Sequence, residues 1–358
     1  MMQHLPSLAG VAALSVLIIK LLIPLSHSIG LLDRPCKRKN HSGAIPLIGG
    51  ISIYLTVILS SLLFLELSDT FIGIALVCGL VTLVGMFDDR YPLQARYRLI
   101  VQLLAGVAIA GIGVKVTTLG NLLPFGELHL GLLAIPFTAV AITGLCNAYN
   151  MADGIDGLAG SLTLVSLSGL LFLAHGQAPN NEVLLLTYLC TSIAIFLTFN
   201  LRLCPKIKIF MGDAGSMFLG CAVAIAMIYF SQSQRQIINP ATTLWLVAVP
   251  FMDMVRTMLR RIGKGKSPFH ADRTHLHHIL TRAGLSHRQA LLCILAASIS
   301  LAIVGIFLES VWPQSELLSF VLWLMVFGLY LRVFIAKPYI IAKVIRRRVN
   351  NRKQQHAL

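Results

Sequence analysis

The chain has 358 residues, of which 56% are hydrophobic and only 12% charged, with a mean hydropathy of +0.81. A soluble globular domain carries about 25% charged residues, so these values exclude one and point to a chain that lives in lipid. The formal charge is +15, with 29 Lys and Arg against 14 Asp and Glu. Nucleic acid is the usual partner of so basic a chain, but the short loops facing a bilayer here suit anionic lipid or a phosphorylated substrate better.

Apolar runs near the roughly 20 residues that a bilayer core requires recur along the whole length. They lie at about 5–29, 46–66, 70–86, 98–117, 130–149, 157–175, 183–200, 214–231, 241–259, 290–309 and 316–336. This pattern predicts an all-α polytopic membrane protein with about eleven transmembrane helices. Residues 1–358 read as a single integral-membrane domain without internal repeats. The first run lacks a basic segment before it and contains Lys20, so it reads as an uncleaved span rather than a signal peptide. Most of the 29 Lys and Arg fall in loops 30–45, 87–97, 201–213 and 260–289 and in the tail 337–358. The opposite side has little beyond Lys115 and Arg235. The positive-inside rule then puts the basic loops in the cytoplasm, the N-terminus in the periplasm and the C-terminus inside. An odd number of spans requires the same arrangement. Residues 337–358, with Lys343, Arg346, Arg347 and Arg348, read as a basic cytoplasmic tail that anchors on the membrane surface. The seven cysteines are scattered without zinc or redox spacing and read as small buried apolar residues.

Ionisable groups beside hydrocarbon are costly and mark function, and here they gather at the cytoplasmic ends of the spans. Asp88 and Asp89 close the third segment. Two adjacent carboxylates stay ionised only beside a cation, which a metal or the nearby Arg90, Arg96 and Arg98 could supply. Asn147, Asn150, Asp153 and Asp156 follow at three-residue spacing. On a helix they would share one face, and on a turn they would line a cavity. Asp156 as a simple cap of the sixth span is the plainer reading, although one cap does not explain four polar groups. Phe210 to Ser216 sets Asp213 between small residues at a helix start, where a phosphate or hydrated ion can approach the backbone and where the Asp could also merely cap. His275, His277 and His278 lie in the longest cytoplasmic loop with Arg260, Arg261, Lys264, Lys266 and Arg273. That crowding reads as a cradle for phosphate and sugar more than as a zinc site. Asp253 and Arg256, three residues apart, read as an ion pair where the ninth span leaves the membrane.

In this order and spacing, the motifs resemble the polyprenyl-phosphate N-acetylhexosamine-1-phosphate transferase family over nearly the whole chain. They are Arg38-Lys39-Asn40-His41 with Ile45 to Gly50, Asp88-Asp89, Asn147 to Gly157, Phe210 to Ser216 and His275-Leu276-His277-His278. The His-x-His-His form, with Ser267-Pro268-Phe269 and Asp272-Arg273, is most similar to the branch that acts on undecaprenyl phosphate and UDP-GlcNAc. The resemblance implies that Asp88 and Asp89 are the catalytic pair. It implies that Asp213, with Asn150, holds Mg²⁺, with Mn²⁺ as a substitute. Asp153, Asp156 and Phe210 would bind the nucleotide, and Arg261, Arg273, His275, His277 and His278 the diphosphate and sugar. Lys39 is the candidate contact to the lipid phosphate. The implied partners are UDP-GlcNAc, undecaprenyl phosphate and the bilayer of a bacterial inner membrane, with no nucleic acid and with homo-oligomerisation left open.

Elementary chemistry runs the same way. Mg²⁺ keeps several waters and is held by one or two carboxylates plus substrate phosphates, which suits single acids on short loops. Phosphoryl transfer asks for positioning and charge neutralisation more than for covalent chemistry. A transporter of an anionic sugar nucleotide is the competing class. It would place its polar residues near mid-membrane on repeated, broken helices, whereas here they sit at the cytoplasmic ends.

Overall fold

A computed structural model describes residues 4–34, 43–122, 126–204, 207–232, 236–269 and 274–336. Lys39, Arg273 and the tail 337–358 lie outside the described residues. Helix α1 (Leu5–Ile29) ends at Gly30, whose left-handed backbone (φ 71°) lets its N–H reach the Ser26 carbonyl. Two short antiparallel strands follow, β1 (Leu32–Asp33) and β2 (Ile45–Pro46). Then come α2 (Gly49–Phe64), α3 (Asp69–Arg90), α4 (Ala95–Gly111), α5 (Ala134–Ala152), α6 (Leu158–Ala174), α7 (Asn180–Asn200) and α8 (Gly212–Gln232). The chain closes with α9 (Pro240–Leu246), α10 (Ala248–Ile262), α11 (Leu276–Arg282), α12 (His287–Val311) and α13 (Glu316–Ala336).

Each apolar run of the sequence contains a helix, but the runs are not equal, and the fourth, expected over 98–117, is helical only as far as Gly111. Among the described residues seven helices are long and apolar enough to cross a membrane, and the bent pair α9–α10 makes an eighth if it is one span. Helices α2 and α6, with 16 and 17 residues, are shorter. At 1.5 Å per residue each rises only about 25 Å, less than the roughly 30 Å hydrocarbon core. The expected ninth span, 241–259, is not a single helix. It breaks at Val247, and its halves meet at 81°. Pro250 falls in the first turn of α10, where its missing N–H leaves no intrahelical bond unmade, so the sequence favours a fresh helix start there.

Helix α8 is the core, 89% buried across its apolar window, while α13 at 11% lies on the rim. Around α8 pack α2, α3, α5 and α6. Glycines set how closely they approach: a Cβ on Gly50 would lie 2.1 Å from the Gly215 Cα, and one on Gly85 would lie 2.4 Å from the Ala214 Cα. Small residues at helix crossings are how backbones come together in lipid. The result is that the ends of α2 and α3 meet the N-terminus of α8, where the acidic motifs lie.

Candidate active site

The last turn of α3 presents two carboxylates with different partners. Asp88 is buried; its Oδ2 accepts from Arg98 Nη1 at 2.7 Å and its Oδ1 from the Leu93 N–H at 2.7 Å. Asp89 accepts the backbone N–H groups of Asp213 (2.8 Å) and Ala214 (3.0 Å), capping α8 from a neighbouring helix. Each of the two neighbouring carboxyls thus has its own partner, a guanidinium for Asp88 and the positive end of a helix for Asp89. Gly212 makes this possible: its φ is 73°, and a Cβ there would meet the Asp89 carboxylate at 2.5 Å.

Asp213 is therefore not its own helix's cap, and its side chain turns to other work. Oδ1 accepts from Asn150 Nδ2 at 2.6 Å, Oδ2 is 3.7 Å from Arg98, and the carboxyl stands against that of Asp88. Asn150 also donates to Ser216 Oγ at 3.0 Å. Asn147 and Asn150 lie on α5, which ends at Ala152, so the polar line continues as a turn through Asp153 and Asp156. Asp153 keeps an exposed edge in this cleft. Loss of hydration among protein atoms lifts its carboxyl to about 7, aided by the charges of Asp213 and Asp156.

Asp156 does not cap α6, whose N-cap is Gly157 without a side-chain bond. It pairs instead with Lys208 at 2.6 Å, and the Lys208 ammonium sits 4.7 Å over the Phe210 ring. Asn200 fixes this corner, accepting the Gly157 N–H at 2.6 Å and donating to the Ile209 carbonyl at 2.9 Å. The backbone of Phe210 is stitched to the first loop by bonds to the Pro46 carbonyl and from the Gly49 N–H, each 2.9 Å.

The histidine motif arrives from the other side. Asp253 is more than one half of an ion pair. Its Oδ1 accepts from Arg256 (2.9 Å), the Leu276 N–H (3.1 Å) and the Tyr330 hydroxyl (3.2 Å), and its Oδ2 lies 3.0 Å from His275 Nδ1. One carboxylate so joins α10, the histidine loop and α13. The rings of His275 and His277 are parallel at 6.0 Å, and His278 lies 4.2 Å from His277. The buried Nε2 of His277 is without a hydrogen-bond partner and faces Gly154, where a Cβ would sit 2.1 Å away. Burial, then the positive charge available to His278 and His275, pushes His277 down to about 3, so it is a neutral imidazole. Arg261 is buried and donates to the Pro268 carbonyl at 2.6 Å, holding the base of the loop.

The structure therefore brings together Asp88, Asp89, Asn150, Asp153, Asp156, Phe210, Asp213 and the His275–His278 motif, while Arg261 turns inward. Sequence reasoning treated Arg98 as a neutraliser and missed Lys208, Asn200 and Tyr330. Arg98 had a signal, a cation in the first turn of an apolar helix. Tyr330 had none, since its bond to Asp253 spans 77 residues. Among the described residues no three His, Cys, Asp or Glu side chains form a closed metal cage.

An apolar groove of about 840 Å³ runs between α4–α5 and α9–α10, lined by Leu99, which follows Arg98 in the chain, and by Phe137, Val140, Leu244, Met258 and Phe269 among others. Asn147 stands at its head, tied to Gln102 at 2.7 Å. Acids and cations gathered at one end of an apolar helical bundle are the makings of a membrane enzyme site. Residues 71–231 match the model of glycosyl transferase family 4. The undecaprenyl-phosphate alpha-N-acetylglucosaminyl 1-phosphate transferase of Yersinia pestis is 36% identical over 321 residues, 89% of this chain and 88% of its own. Proteins of the same name from Escherichia coli K12 and Haemophilus influenzae are each 34% identical, over 90% and 86% of this chain and 88% and 87% of theirs. The chain belongs to glycosyl transferase family 4 and is a multi-pass membrane sugar-phosphate transferase.

Proposed function

We propose that this protein transfers GlcNAc-1-phosphate from UDP-GlcNAc to undecaprenyl phosphate, giving GlcNAc-diphospho-undecaprenol and UMP, as the first membrane step of an O-antigen or common-antigen type surface polysaccharide. The observation that carries the reading is the apolar groove whose lining includes Leu99, the residue after the Arg98 that pairs with Asp88 and Asp213, and Asn147, one turn before Asn150; it suits a substrate with a charged head and a long hydrocarbon chain. In this reading the enzyme has eleven spans in the bacterial inner membrane, with the N-terminus periplasmic and the site facing the cytoplasm.

Asp88, gripping Arg98, holds that guanidinium at the head of the groove, where it meets the lipid phosphate. A monoalkyl phosphate has a second pKa near 6, so at neutral pH it is largely a dianion and a competent nucleophile. Its oxygen attacks the β-phosphorus of UDP-GlcNAc, the bond from that phosphorus to the bridging oxygen breaks, and UMP leaves with the oxygen. Phe210 and Asp156 receive the uracil, and the neutral His277 and its neighbours His275 and His278 line the sugar and diphosphate side. Asp88 and Asp213 face each other beside Arg98, with the charge of Asp153 near Asp213, and this surplus of negative charge would suit a divalent cation that also binds substrate phosphates. Asp213, oriented by Asn150, would hold Mg²⁺, which when bound neutralises diphosphate charge. The test is radiolabelled UDP-GlcNAc with purified protein and undecaprenyl phosphate. Butanol-extractable label with release of UMP is expected, and none without lipid phosphate. A burst of UMP in the absence of lipid would overturn direct transfer, and no lipid-linked label at all would overturn the function.

A further inference from the structure

Away from the carboxylates the groove's lining passes to a stretch of non-helical backbone after α4, where Val116, Leu119 and Leu122 line it with Gln232, Pro240 and Ala241. This segment is pinned by side chains from three helices. Gln232, the last residue of α8, accepts the N–H groups of Thr117 (2.9 Å) and Thr118 (3.0 Å) and donates to the Thr118 carbonyl (3.0 Å). Glu316, at the start of α13 and only 3% exposed, accepts the N–H of Asn121 (2.7 Å) on one oxygen and that of Ala241 (3.1 Å) on the other. Thr138 of α5 accepts the Val116 N–H at 2.9 Å. Gly120, with φ 88°, gives Glu316 its room, since a Cβ there would lie 2.1 Å from the carboxylate.

Burying an acid costs free energy unless its oxygens are satisfied, and here Glu316 is satisfied by the backbone of the segment that lines this part of the groove. A loop tied this way keeps one position, so this part of the lining is fixed. We propose that residues 116–122, locked by Gln232 and Glu316, form the end wall of the lipid groove and make the enzyme discriminate polyprenyl phosphates by chain length. The proposal rests on the lipid-substrate reading above. Isoprene units that reach the wall bury apolar surface on Val116, Leu119 and Leu122, while a short chain stops before them and gains nothing there.

The experiment compares kcat/KM for undecaprenyl phosphate and farnesyl phosphate in the wild-type enzyme and in Gln232→Ala, Leu119→Ala and Leu122→Trp. The first unpins the wall, the second removes apolar contact, and the third fills the groove's end. Each is expected to lower use of the long acceptor by about tenfold while leaving farnesyl phosphate and the KM for UDP-GlcNAc unchanged. The two leucine variants keep the proposal exposed to disproof if Gln232→Ala does not fold. Equal effects on both acceptors, or no effect on either, would overturn the end wall. A wild-type enzyme that uses neither acceptor would instead overturn the lipid reading beneath it.

Discussion

Asp88 and Asp89 show how neighbours of one type come to different work. Asp89 spends both oxygens on the start of α8, and so frees Asp213 to face Asn150, Arg98 and Asp88. Asp213→Asn keeps the size and the hydrogen bonding but removes the charge, so it should raise the Mg²⁺ concentration needed for half-maximal rate by tenfold or so, since one charge-assisted contact contributes about 1.5 kcal/mol or more. Initial rates titrated with Mg²⁺ check this, and a wild-type curve would remove Asp213 from metal binding. His277 supports a second prediction. Its folded pKa of about 3 lies below the ordinary 6.5, so the unfolded chain binds the extra proton first as pH falls. Stability from this residue is full above about 6.5 and declines toward pH 3, by up to about 1.4 kcal/mol per pH unit. The melting temperature of detergent-purified protein should fall over that window, and more shallowly in His277→Gln. Parallel curves for the two proteins would mean that the ring is not held neutral.

At the scale of elements, the histidine loop owes its place to α10 and α13 through Asp253. Tyr330 supplies one of the donors to that carboxylate, and a neutral hydrogen bond contributes about 1 kcal/mol. Tyr330→Phe should therefore raise the KM for UDP-GlcNAc about fivefold with little change in the lipid KM, measured by varying each substrate in turn. An unchanged KM would make the tie to α13 structural only. The apolar runs mark all the long helices, because period and composition are local properties. The break at Val247 is not marked in the same way, although Pro250 lies three residues beyond it. A proline inside an apolar run is compatible with a continuous kinked span, and only the packing of α10 against α5 and α12 decides against it. The acids and histidines are legible as motifs, and Arg98, ten residues from Asp88, as a neutraliser of that pair. Lys208 for Asp156 and Tyr330 for Asp253 are separated from their partners by 52 and 77 residues, and no local pattern reports such pairings.

For the whole molecule, the proposed orientation predicts that a reporter protein fused after Leu358 is fluorescent if it is one that folds only in the cytoplasm and inactive if it is one that needs the periplasm. The reverse result would invert every loop and put the carboxylates on the wrong side for a cytosolic nucleotide sugar. The groove also has an open flank, where Leu103, Phe137 and Val140 are 39%, 42% and 63% exposed. On the proposed function, the long-chain substrate enters sideways from the bilayer, while the nucleotide sugar comes from water. The enzyme thus senses its two substrates in different units, one as a bulk concentration and the other as a mole fraction within a two-dimensional fluid. Diluting the membrane or micelle with inert lipid, at constant total acceptor, slows turnover as though acceptor had been removed, and no amount of added nucleotide sugar restores it.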